Sequence, residues 1–242
     1  MTLSGRLLVA TPRLLDPNFH RTVVLLLDHN DDGAFGVVLN RLLPVEVDAV
    51  LPGWQDVVSR PDGLFQGGPV GLDGAIGVAV AAPGVRGDGS LDDAGASDAW
   101  GDSLAEPADG SSGGPSGGSS GGSSGGSTYD ERESGPGGHE PAPGDDESVV
   151  DRLTGVYGLV DLDADPTSVV GRFSGLRIFA GHSGWGGGQL EEEIAEGAWF
   201  VVPSEPSDVF TDDPETLWSR VLHRQGGDLA MLAHYPPDVR MN

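Results

Sequence analysis

The chain has 242 residues, no cysteine and a formal charge of −25. Without cysteine there are no disulfides, thiolate zinc sites or thiol nucleophiles, and because all thirteen basic residues are Arg, P-loop, Schiff-base and general-base lysines are excluded too. So acidic a chain is a poor general binder of DNA or RNA, since that affinity rests on cations set against phosphates. The longest purely apolar runs, such as Val23–Leu27, are too short to cross a bilayer. The opening MTLSGRLLVATP lacks the charged start, apolar stretch and cleavage site of a secretory leader. The expectation is a soluble, cytoplasmic protein.

In chain order, Gly5–Ala10 reads as a strand stopped by Thr11–Pro12. A turn at Asp16–Pro17 leads to a second strand, Thr22–Asp28. His29–Gly33 turn the chain, and Phe35–Asn40 pairs back as a hairpin. Val45–Leu51 suits a short helix ended by Pro52–Gly53. Leu64–Gln66 is a short strand before a GGP turn, and Ile76–Ala81 a longer one. Val156–Leu162 is a further strand, and Asp165–Pro166 supply an N-cap and first position for a short helix. Arg177–Ala180 is a strand that runs into GHSGWGGGQLEEEIAEGAW, read as a Gly-rich loop and then a helix. Trp199–Val202 is a strand. Asp213–Pro214 start a helix with Leu217, Trp218, Val221 and Leu222 on one face. Leu229–Ala233 fits helix or strand. Strands outnumber helices, so the fold class is α+β: a single compact domain with a mixed, largely antiparallel sheet and flanking helices.

Composition breaks between these elements. Residues 83–150 hold fourteen Asp and Glu against two Arg, and they include GGPSGGSSGGSSGGS. Such a segment cannot bury enough apolar surface to offset its ordering entropy. The expectation is a disordered Gly/Ser/acidic insertion over 83–149 inside one discontinuous domain made of 1–82 and 150–242. Ala81 and Asp151 are then expected at the ends of neighbouring strands, because long loops are tolerated between nearby points.

Several motifs carry candidate chemistry. Gly181, His182, Ser183 and Gly184 begin a Gly-x-Ser-x-Gly nucleophile elbow, but Trp185 stands where the last Gly is needed. GWGGGQ could present backbone N–H groups to a phosphate, yet Glu191, Glu192 and Glu193 crowd the helix start and repel anions. Asp28–Gly33 opens like an EF-hand loop, but position twelve is Leu39 in place of the bidentate Glu. A hairpin turn explains the same residues. The histidines show no metal spacing, and no metal or cofactor is expected. One polar constellation remains: Asn18, Arg21, Asn40 and Arg41, at the ends of strands expected to be neighbours. Its arginines can grip a carboxylate or phosphate in a forked geometry, or bond to loop carbonyls and carboxylates of the chain itself.

LLVATPRLLDPNFHRTVVLLLDH, GAFGVVLNR, FQGGPV, FAGHSGWGGGQLEEEIAEGAWFVV, DDPETLWSRVLHRQGGDLAMLA and the terminal Asn242 together resemble the YqgE/AlgH family of bacterial proteins. The resemblance runs in order through nearly all of 1–82 and 150–242. Three features depart from the family pattern. Leu42 follows Arg41 where Pro is usual, His182 stands where Tyr is usual (Ser183 keeps to the usual Ala or Ser), and the 83–150 insertion is extra. The resemblance implies a compact α+β domain with a mixed, partly barrel-like sheet. It brings a link to transcriptional regulation but no established activity and no catalytic residues. That Ala is accepted in the Ser183 slot argues against a nucleophile there.

The expected function is non-catalytic, regulatory through a protein partner or small ligand, without direct nucleic-acid or membrane binding. The alternative is an enzyme or small-molecule module with a pocket near Asn40–Arg41 and Gly181–Gln189. The candidate ligand or partner residues are Asn18, Arg21, Asn40, Arg41, His182, Ser183, Trp185, Gln189 and Glu191.

Overall fold

The structure, a computed structural model, describes residues 2–81, 150–154 and 156–236. Its strands are β1 (Arg6–Ala10), β2 (Val23–Asn30), β3 (Gly33–Val38), β4 (Leu42–Glu46), β5 (Gly63–Gln66), β6 (Val70–Ala81), β7 (Val150–Thr154), β8 (Tyr157–Val160), β9 (Phe173–Gly186) and β10 (Trp199–Pro203). The helices are α1 (Gln189–Ala195), α2 (Pro206–Val209), α3 (Leu217–Gln225) and α4 (Gly227–Leu232), with 3-10 turns at Val47–Ala49 and Pro166–Val169.

The strands form one sheet in the order β10-β1-β2-β3-β9-β6-β8-β7, and each neighbouring pair is antiparallel. β5 adds to β9 in parallel through Phe65 and Phe179, and β4 pairs back on β5. The path does not close. The sheet is therefore mixed and largely antiparallel, and the fold is α+β.

Alternation along the first two strands explains their unbroken apolar runs. Leu7, Val9, Leu25 and Leu27 enter one cluster, which α3 covers with Leu217, Trp218, Val221 and Leu222. Leu8, Ala10, Val24 and Leu26 enter a second cluster on the opposite face, with Trp185, Leu190 and Trp199. A strand buried on both faces reads as a continuous hydrophobic run. A third cluster, with Val47, Trp54, Leu176 and Ile178, covers the other half of the sheet.

Several sequence expectations are corrected. The strand after Phe173 does not end at Ala180. It continues through Gly186, because Gly184 and Trp185 pair with Phe35 and Ala34 of β3. The hairpin turn is also tighter than expected: β2 runs to Asn30 and β3 starts at Gly33, leaving only Asp31–Asp32 between them. Residues 45–51 contain a single 3-10 turn, preceded by β4. α3 begins at Leu217, three residues after Pro214. The apolar tail is helical. The expectation for 83–149 lies outside the described residues, but its flanks do not. β6 and β7 are not neighbours, since β8 lies between them and pairs with both. Their separation across the sheet is thus two strand spacings, roughly 10 Å.

Candidate functional site

Three of the family-like blocks meet on β9. Residues Gly67–Gly68 cross β9 with backbone against backbone. A Cβ on Gly67 would stand 2.3 Å from the Gly181 carbonyl oxygen, and one on Gly68 (φ 158°) 2.1 Å from that of His182. FQGGPV therefore needs its glycines for close approach. Ser183 lies in this crossing, fully buried, and its Oγ donates to the Gly67 carbonyl at 3.1 Å. A hydroxyl without solvent access that already donates to a carbonyl is a tether. The same carbonyl also accepts from the Val38 N–H at 2.8 Å. Ser183→Ala therefore leaves it satisfied, and the expected loss of stability is about 1 kcal/mol or less in a urea titration. A loss several times larger would give Ser183 a further role. His182 sits beside it with its ring 4.9 Å from Phe35, facing a shallow cleft of ≈280 Å³ against Gly71–Ile76.

Past β9, the Gly-rich segment joins α1, whose first turn is acidic as the sequence suggests. Glu193, which the sequence offers only as one of three acids crowding the helix start, has a further role. Its Oε2 accepts from the indole N–H of Trp185 at 3.0 Å and of Trp199 at 2.8 Å, while Oε1 accepts from Gln189 Nε2 at 3.0 Å. Gln189 in turn takes the Gly186 N–H on its own oxygen. Phe19 stacks on Trp185 and meets Trp199 edge-on. Trp185 and Gln189 are thus brought together, around a carboxylate and under a ring. Two tryptophans flanking a helix start, with an acid at i+4 from a Gln, is the signal that could have found it.

Glu191 points the other way and pairs with His29 Nε2 at 2.7 Å. His29 Nδ1 accepts the Leu3 N–H at 3.1 Å, so Nε2 carries the proton. The Glu191 carboxyl lies below its ordinary value, held there by its own backbone N–H first and His29 second. Its contribution is therefore complete above the ordinary glutamate range and is lost as pH falls through the lowered value. Glu191→Gln is expected to flatten the acid limb of the thermal midpoint below about pH 4.3. Superimposable acid limbs for the two proteins would refute this.

The second sequence constellation is also gathered. Asn40, buried at the end of β3, accepts the Val23 N–H at 3.0 Å and donates to the Arg21 carbonyl at 2.9 Å. Its amide holds Arg21 at φ 55°, a conformation that side-chain-bearing residues rarely adopt. Arg21 lies over Trp218 at 3.9 Å and donates to the Tyr235 carbonyl at 2.7 Å. Arg41 donates to the His20 carbonyl at 2.6 Å. Burial lowers the pKa of both guanidinium groups. Asn18 is exposed, and its backbone N–H caps against Asp16. Arg41 bonds to His20, whereas Trp185 and Gln189 bond to Glu193, so the two halves of the expected pocket are engaged separately.

The acidic hairpin turn is held by its own residues. Asp28 accepts the His29 N–H and the Asn30 amide, and Asn30 accepts the Asp32 N–H. No group of metal-ligating side chains occurs among the described residues. Arg177, unmarked in the sequence except as a lone charge between Leu176 and Ile178, is buried against Phe65. Among the described residues it bonds to backbone carbonyls alone, those of Val209, Arg60 and Thr211.

These tethers define a class first: an α+β protein whose shared motifs knit one open sheet together. The chain belongs to the AlgH-like family, whose pattern matches residues 7–106 and 144–230. It is similar to a UPF0301 protein of Streptomyces avermitilis, 44% identical over 241 residues that cover 100% of this chain and 96% of the relative. The crystal structure of protein DIP2367 from Corynebacterium diphtheriae is similar at a TM-score of 0.68 and 28% identity, covering 96% of this chain and 91% of that one. The solution structure of AlgH from Pseudomonas aeruginosa shares the fold at a TM-score of 0.55 and 23% identity, covering 98% and 95%. No helix among the described residues is long and apolar enough to cross a membrane.

Proposed function

We propose that this chain is a non-catalytic cytoplasmic binding protein with a regulatory role, acting through a protein partner. One observation carries the reading. The polar groups of most candidate residues bond to the chain's own backbone or side chains, whereas Val50, Val70 and Leu72 stay about half exposed on the side of β6 and the 3-10 turn at Val47–Ala49. Aliphatic side chains exposed together on one side of a fold are the kind of surface that marks contact with a partner. The test is affinity capture from lysate by the full chain and by Leu72→Ser. A protein retained by the first and lost by the second supports the reading, and identical captures oppose it. A shift of duplex DNA at physiological salt would replace it with direct DNA binding, which the charge disfavours.

A second reading, a small-anion module at Arg21 and Arg41, draws on a separate observation. Among the described residues, each guanidinium has one backbone carbonyl as its hydrogen-bond acceptor and no carboxylate. Stabilisation of the protein by phosphate or citrate, absent in Arg41→Ala, would favour it.

A further inference from the structure

The exposed aliphatic face continues into a cleft with a definite charge. At the start of β6 the register breaks. Val70 pairs with His182 and Ala75 with Ala180, so the four residues Gly71–Gly74 stand opposite Gly181 alone. A bulge of this kind re-aims side chains, and here it carries Leu72, 56% exposed, and Asp73 to the mouth of an open cleft of ≈500 Å³. Val50, itself 50% exposed, stands at the same cleft, with Leu64 deeper in. Asp73, Asp161 and Asp163 line it, and no Arg or His among the described residues does. None of the three carboxylates has an ion-pair partner among the described residues. Asp161 only accepts the Asp163 N–H.

We propose that this cleft docks a basic, aliphatic-bearing segment of a partner protein, its Arg or Lys side chains paired with Asp73, Asp161 and Asp163 and its aliphatic side chain set against Leu72 and Val50. The proposal rests on the partner-binding reading and names the partner's chemistry. Charge complementarity selects the occupant. The chain's own 83–150 segment has a net charge of −12, so the rim repels it. A second copy would bring the same three carboxylates to the contact. Nucleic acid and anionic lipid are repelled for the same reason.

The experiment measures fluorescence anisotropy of a labelled Arg-Leu-Arg-Leu-Arg-Leu peptide with the full-length protein, against a counterpart with Glu in place of each Arg. The basic peptide is expected to bind and the acidic one not to. Asp161→Asn with Asp163→Asn is expected to weaken binding about tenfold, and Leu72→Ser about fivefold. Glu196→Gln with Glu215→Gln removes the same charge from exposed sites elsewhere and is expected to leave affinity near wild type. Equal weakening by both charge pairs would overturn the proposal, because attraction would then belong to the whole molecule. Indifference to Leu72→Ser, or no binding of the basic peptide, would also overturn it. So would a dimer in sedimentation that Leu72→Ser abolishes, which would assign the face to a second copy. If peptide binding fails while Leu72→Ser still loses a captured protein, only the partner's basic character falls. If both are unaffected, the partner-binding reading falls with it.

Discussion

Replacing Arg177 with Met is expected to destabilise the protein by about 3 kcal/mol. Two effects compete. Burial disfavours the guanidinium and pushes its pKa down to about 10, with Asp212 acting weakly the other way. Removing the charge relieves that cost, and buried ionic groups are sometimes replaced by apolar ones at no loss. Here the acceptors are backbone carbonyls of Val209, Arg60 and Thr211, which no substitution removes. Met leaves them without a donor in a site where Arg177 is only 1% exposed, and it gives up the contact at 4.2 Å with the Phe65 ring. Stranded acceptors outweigh the relieved charge, although one donor, Nε, has no partner even now. Denaturant unfolding of the full chain reads the effect. A midpoint unchanged or raised in Arg177→Met would show that desolvation dominates.

Glu193→Ala is expected to cost about 2–4 kcal/mol. It strands two indole N–H groups, from Trp185 and Trp199, in a cluster where both rings are buried. Gln189 also loses the partner that fixes it over the Gly186 N–H. Glu193→Gln keeps one acceptor oxygen and should recover at least half of the loss. Thermal unfolding followed by tryptophan fluorescence separates the two variants. If Ala and Gln behave alike, hydrogen bonding to the indoles is not what the carboxylate contributes.

Much of the fold was legible because apolar alternation and turn chemistry act locally. Val23–Leu27 and Leu7–Ala10 read as strands, and the spacing of Leu217, Trp218, Val221 and Leu222 set the buried side of α3. Gly181–Gly186 did not read as strand, because a residue without a side chain cannot show which face it presents. Its conformation is imposed by β3 and β6, which are distant in sequence. β4 was hidden by Pro44, which suits an edge strand because it lacks a ladder donor. The Arg21, Asn40 and Arg41 grouping was legible from strand ends. Its acceptors were not, because backbone carbonyls carry no residue-type signal. Arg177 and Glu193 were missed for the same reason: what marks each is a set of partners assembled by tertiary contact.

β9 has a consequence for the order in which the molecule can be built. β3, β5 and β6 all pair with it, and β1 has one edge assigned to β10. During synthesis β1 to β8 leave the ribosome before β9, the central partner, is made. β1–β2–β3 and β4–β5 can pair among themselves, but joining β3, β5 and β6 into one sheet waits for β9 to be made through Gly186, so folding is expected to complete late and slowly, as long-range pairings do. A chain ended at Arg172 should be cut readily by protease within 1–81, where the full chain resists. Protection of that truncated chain would mean the N-terminal strands hold together without the strand that joins them.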